Sequence, residues 1–205
     1  MLGLSFALSF VKIPLGTFGG SVTLFSMVPV VIIGAVFGLK RGLLAAFCYS
    51  ILQLLQSIAF SNSFVLDSWW KTALMIVLDF LCAFTALGLG GIFSDKNGLS
   101  PGKSAAGGAV AVSVRYICHI LSGWILWGTY AEWYFSDAES EFLATEATAS
   151  IGRAICESFS GEGLALIYSI IYNGLYMIPE IIMTAAGVFI ILKNKHIRAG
   201  LEKLR

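Results

Sequence analysis

The sequence predicts an all-α integral membrane protein, six spans gathered in one bundle. Three observations point there. Hydrophobic residues make up 58% of the 205 residues, charged residues only 12%, and the mean hydropathy is +0.85. An ordinary soluble domain carries about 25% charged residues, and a chain of this size could not hide so much apolar surface from water. The apolar runs are long and continuous rather than alternating. Spanning segments must satisfy their own backbone groups, so such runs read as helices rather than barrel strands. Finally, the cations are segregated into particular connectors.

Six apolar segments follow in order: about 1–13, 25–39, 42–60, 69–93, 105–133 and 163–192. A straight span needs roughly 20 residues, so the first two are short. The first stops at Pro14 and reads as incomplete at its start; the second reads as tilted or partly re-entrant. The N-terminus lacks a basic n-region and a cleavage site, so it is expected as a span rather than a signal peptide. Lys40 and Arg41 lie between spans two and three, and Lys96 and Lys103 between spans four and five. Lys193, Lys195, Arg198, Lys203 and Arg205 follow span six, so nine of the thirteen cations fall on one side of a six-span threading. The positive-inside rule makes that side cytoplasmic, with both termini inside.

The opposite side carries SNSFVLD (61–67) and an acidic stretch from Glu132 to Glu162 with seven carboxylates against Arg153. That stretch is expected as an extracellular excursion with a short amphipathic helix around 139–158. Between spans one and two lies PLGTFGGSVTLFSMVP (14–29). Its glycines and flanking prolines make it too irregular for a lipid-facing helix, and such backbone is tolerated at membrane depth only inside protein or beside a cavity. It is expected to fold over the outer mouth of the bundle; a plain surface turn is the other reading. No internal repeat appears, and 1–205 reads as a single domain.

Several chemistries are excluded. A net charge of +1 without a basic tract mixed with aromatics offers nothing to nucleic acid. Cys48, Cys82, Cys118 and Cys156 have neither metal-site spacing nor a disulfide framework, so no metal and no cofactor is expected. NGLSPGKS (97–104) ends like a phosphate-binding loop, but Asn97 stands where that motif needs glycine, and no strand or soluble α/β domain surrounds it. An intramembrane enzyme using His119 and Asp79 as acid and base would lack a nucleophile or a metal set.

What remains is polar chemistry inside spans, which is expensive there and marks candidate function. On span five His119, Gly123 and Trp127 are spaced i, i+4, i+8 and form one stripe. They could form a wall for a flat heteroaromatic ligand. Equally, His119 could bond to a neighbouring helix while Trp127 sits in the interfacial belt. On span six Tyr172, Asn173, Tyr176 and Glu180 repeat the theme, either reading an aminopyrimidine-type edge or gluing helices together. Span four carries Asp79 about 15 Å deep at 1.5 Å per residue from Trp69. A buried acid among aromatics suits a delocalised organic cation. Arg115, one turn from His119, is left with two readings: an ion pair with Asp79, or reach toward the inner interface.

The segments GGSVTLFSMVP, HILSGWILWGTYA and YSIIYNGLYMIPE resemble the thiamine-specific S component (ThiT/YuaJ family) of energy-coupling factor (ECF) vitamin transporters. The resemblance implies a six-helix protein that binds one vitamin. Its partners would be a transmembrane coupling subunit and two cytoplasmic ATPases, and it would be no enzyme itself. It implies substrate-binding roles for His119, Gly123 and Trp127, for Tyr168 and Asn173 with Tyr172 nearby, and for Asp79 and Phe80. Trp69 is implied as an upstream aromatic. Three features depart from the family pattern. Asp79–Phe80 stands where the family commonly has Glu–Tyr, which keeps an S component for another small heterocycle or a thiamine precursor in view. Residues 134–162 are an insertion relative to compact members. The small-xxx-small motif that docks on the coupling subunit is matched here by Gly3 and Ala7.

Overall fold

The computed structural model describes residues 1–14, 20–60, 66–95, 98–137, 140, 142 and 145–205. Four helices among them are long and apolar enough to cross a membrane: α3 (Leu39–Phe60), α4 (Trp69–Gly91), α5 (Pro101–Ser136) and α7 (Gly161–Lys193). They match the third to sixth apolar segments. The first two segments form shorter helices, α1 (Leu2–Leu8) and α2 (Val28–Phe37). The 10 residues of α2 rise only about 15 Å, half of a hydrocarbon core of about 30 Å.

The chain ahead of α2 is extended. Strand β1 (Lys12–Pro14) pairs antiparallel with β2 (Ser21–Thr23), with Ile13 opposite Val22. Leu24 N–H continues the ladder to Val11 O. The stretch expected as an irregular loop is therefore a hairpin; Leu15 to Gly19 lie outside the described residues. Its second strand is packed into the protein, with Gly20 and Val22 buried, as backbone at that depth requires.

At one end of the bundle α2, α3, α4 and α5 meet at glycines. A Cβ on Gly88 would lie 2.5 Å from Leu43 Cα, and one on Gly91 2.4 Å from Gly34 O. Four backbones thus touch where no side chain fits, the small-residue packing that holds membrane helices together. At the same end α8 (Lys195–Glu202) docks on the connector between α4 and α5: Leu99 N–H donates to Glu202 Oε1 at 2.8 Å, and Arg205 donates to Asp95 O. Lys103 pairs with Asp95 at 3.1 Å. Lys96 lies outside the described residues.

At the other end α5 tightens to a 3-10 turn at Gly128–Tyr130 and resumes as Ala131–Ser136. Helix α6 (Glu146–Ser158) falls within the expected amphipathic stretch. Its Thr145 N-cap forms a reciprocal capping box with Thr148. This region is packed, not free. Tyr134 and Phe135 are buried, and Ile155 and Cys156 pack against the same core.

Candidate functional site

The candidate site is built from α4, α5 and α7, with β2 running along α7 beside it. Helix α4 is not α-helical throughout. Ile76–Cys82 is a π-helix with Asp79 inside it. Such a bulge changes which way side chains point and recurs at functional sites. Here Asp79 reaches α5: its Oδ1 lies 2.7 Å from His119 Nδ1, and its Oδ2 accepts from Ser122 Oγ at 2.5 Å. A neutral imidazole that donates Nδ1–H to the carboxylate presents Nε2 as an acceptor. His119 Nε2 is buried and has no hydrogen-bond partner among the described residues.

Helix α7 meets α5 along the most extensive helix contact of the bundle. Asn173 is held there from every side. Its Nδ2 lies 2.8 Å from Ser169 O, 3.1 Å from Ser169 Oγ and 3.2 Å from His119 O. Its Oδ1 accepts a short bond from the Tyr176 hydroxyl. The Tyr176 ring centroid lies 6.0 Å from that of His119. Asp79, Ser122, His119, Asn173 and Tyr176 therefore form one continuous polar network across three helices. Gly123 makes the approach possible: a Cβ there would lie 2.3 Å from Ser169 Oγ and 2.9 Å from Asn173 Nδ2. The partner that Gly123 admits in this structure is helix α7.

Outward of this network stand aromatic rings. Tyr168 and Tyr172 are buried on α7 with centroids 5.7 Å apart, and Tyr134 packs edge-on against them at 5.2 and 5.8 Å. Trp127, partly buried against the same core, tilts on Tyr130 at 6.0 Å. Phe80 stacks on Phe84 at 6.4 Å. The chain just ahead of β2 touches this group: Gly20 N–H donates to the Tyr172 hydroxyl at 3.3 Å.

Of the residues singled out in the sequence, Asp79, His119, Gly123 and Asn173 come together directly, and Tyr168 and Tyr172 line the adjacent aromatic wall. Trp69 does not join them; at 84% exposure it stands at the start of α4, facing outward. Gly3 and Ala7 share an exposed face of α1, and among the described residues nothing lies within 4 Å of a Cβ built on Gly3. Arg115 follows neither reading made from the sequence. Its guanidinium lies over the Phe84 ring at 4.2 Å, and Nη1 is 3.0 Å from Met27 Sδ. An arginine inside a span gains from a π face and a polarizable sulfur what water would otherwise supply. Ser122, Ser169 and Tyr134 escaped sequence reasoning. Serines on an apolar helix give no periodic signal, and Tyr134 lies beyond the helical stripe.

The chain is a multi-pass membrane protein with a polar network beside an aromatic wall, the kinds of group a small-molecule site uses. Comparison with known proteins makes this specific. The family model described as "Thiamine transporter protein (Thia_YuaJ)" matches residues 1–136, and the chain belongs to that family, one of transporters and not of enzymes. The chain is 27% identical over 177 residues to the thiamine transporter ThiT of Bacillus subtilis (strain 168), covering 82% of this chain and 72% of that protein. Its fold is similar to the solved structure of ThiT from Listeria monocytogenes. The TM-score is 0.63 at 19% identity, over 98% of this chain and 92% of that one.

Proposed function

We propose that this chain is the substrate-binding S component of an ECF-type vitamin importer. It takes thiamine from the outside of the cell membrane for ATP-driven uptake by partner subunits. The observation that carries the reading is the Asp79–His119–Asn173–Tyr176 network lying beside a tyrosine wall, in a chain of the thiamine transporter family. An aminopyrimidine needs a donor–acceptor edge and flat neighbours. For the first, His119 Nε2, left without a partner among the described residues, supplies an open acceptor for the amine, held in place by the Asn173 network, and the tyrosines and Trp127 supply the second. A thiazolium cation needs a counter-charge in a low-dielectric site, and Asp79 supplies it. The hairpin closes over the bound ligand. The exposed small-residue face of α1, with Gly3 and Ala7, offers close approach to the transmembrane coupling subunit, and two ATPase subunits drive release inside. Six spans with both termini cytoplasmic fit the cations gathered at the α8 end of the bundle.

A second reading is supported by one local fact. Asp79 spends both carboxylate oxygens on His119 and Ser122, and Phe80 offers no hydroxyl. A site so retuned would suit a related heterocycle. Tryptophan fluorescence of the purified protein, titrated with thiamine, thiamine phosphates and pyrimidine precursors, separates the two. Tightest binding of thiamine supports the first reading, and tightest binding of a precursor supports the second. Thiamine uptake by cells expressing this chain with coupling and ATPase subunits, and none without them, tests the transport role.

A further inference from the structure

Residues 20–28, which join the hairpin to α2, contain an anomaly. Phe25 has φ 59°, the one positive φ outside glycine among the described residues. A bulky L residue avoids that conformation, and it persists only where the surroundings hold it there. Here the surroundings are identifiable. Two residues before Phe25, Thr23 donates both its backbone N–H (2.6 Å) and its hydroxyl (2.7 Å) to Glu180 Oε1, and Ser26 Oγ lies 2.6 Å from the Thr23 hydroxyl. The Phe25 ring sits over Gly187, where a Cβ would come within 3.1 Å of Phe25 Cδ1 and 2.8 Å of Val28 Cγ2. Two residues after Phe25, Met27 receives Arg115. Helices α5 and α7 thus grip the segment on both sides of its strained residue.

Glu180 is the costly member of this set. It is 2% exposed inside an apolar span, and its Oε2 has no partner among the described residues. A carboxylate there is expensive, and an apolar side chain would pack α7 against α2 at less cost. What the carboxylate adds is a two-bond grip on a strand that other elements could release.

We propose that Glu180 is a latch: its grip on Thr23 holds β2 against α7 beside the site, and Phe25 is the loaded hinge that frees the strand when the grip is lost. Glu180 is a positioning residue and touches no ligand. It acts through Thr23 and, by way of the Gly20–Tyr172 bond, on the aromatic wall. The proposal rests on the ligand-binding reading above for what the closed strand retains, but not for the latch itself.

The test is hydrogen–deuterium exchange of the purified full-length chain, read by mass spectrometry, beside the dissociation rate of thiamine. In Glu180→Ala, exchange across 20–27 is expected to rise about tenfold or more, the factor that a lost hydrogen bond to a charged group carries. Peptides around Gly34 and Gly88 are expected to keep their wild-type exchange. Thr23→Val is expected to act in the same direction. Glu180→Gln keeps one acceptor oxygen and is expected to fall between wild type and Glu180→Ala. Gly187→Ala, which unseats Phe25 without touching Glu180, is expected to loosen the same segment. Thiamine is expected to leave Glu180→Ala faster by a similar factor. Unchanged exchange at 20–27 in Glu180→Ala overturns the latch, as does a uniform rise over all helices, which would mark Glu180 as a general packing residue. If exchange responds as expected while even the wild type binds no thiamine, the latch stands and the ligand assignment falls.

Discussion

Gly123→Ala tests how the site is assembled. The added methyl would lie 2.3 Å from Ser169 Oγ, 2.9 Å from Asn173 Nδ2 and 3.2 Å from Ser169 Cβ. The hydroxyl can rotate away, but it would then give up its 2.7 Å bond to Ile120 O and its contact with Asn173 Nδ2. At about 1 kcal/mol for each hydrogen bond, that route costs roughly 2 kcal/mol. Moving α5 away from α7 instead costs the typical overpacking range of about 1–3 kcal/mol. Either way Asn173 loses its register with His119 O. Thermal unfolding in detergent is expected to show the lost stability. Thiamine affinity is expected to fall roughly 30-fold, the equivalent of about 2 kcal/mol. Gly108→Ala is the control. Its methyl would meet Val31 Cγ1 at 3.1 Å and nothing else within 3.4 Å, and affinity is expected to stay at the wild-type value. A Gly123→Ala protein with wild-type unfolding and wild-type affinity would refute the close α5–α7 approach as the basis of the site.

Asp79→Asn leaves one acceptor oxygen where His119 and Ser122 each need one, and it removes the counter-charge. Thiamine affinity measured by fluorescence is expected to drop about tenfold or more, since a hydrogen bond to a charged group is worth about 1.5–3 kcal/mol. Trp69→Ala removes a side chain that is 84% exposed; its affinity is expected to match wild type. Gly88→Ala forces a methyl to 2.5 Å from Leu43 N and Cα, both backbone atoms that cannot rotate aside. It is expected to cost about 3 kcal/mol or more, visible as loss of the monodisperse peak in size-exclusion chromatography.

Much of this architecture was legible in the sequence, and the exceptions have physical causes. Length and continuity of apolar runs located α3, α4, α5 and α7, because a bilayer demands such runs. They could not show that the chain ahead of α2 pairs as a hairpin. Val22 and Leu24 are as apolar in an extended chain as in a helix. Polar residues in spans were the most informative signal for the site, since Asp79, His119 and Asn173 are all drawn into one network. Partners across helices were not legible. Asp79 reaches Ser122 through a π-helical register that no periodicity encodes. Arg115 was left between pairing with Asp79 and reaching the inner interface, and it settles on Phe84 and Met27. Gly123 was placed in the wall of a ligand site, and in the fold it makes room for Ser169 and Asn173. Trp69 aligned with the site in sequence but faces outward from the first position of α4.

The most direct test of the central claim is isothermal titration calorimetry of the purified wild-type chain with thiamine. His119→Ala is carried alongside to tie any heat to this site. Saturable one-to-one binding at micromolar concentration or below, markedly weakened in His119→Ala, is the expected result. No heat from the wild type at micromolar thiamine, or equal binding by both proteins, would contradict the reading of the Asp79–His119–Asn173 network as a thiamine site.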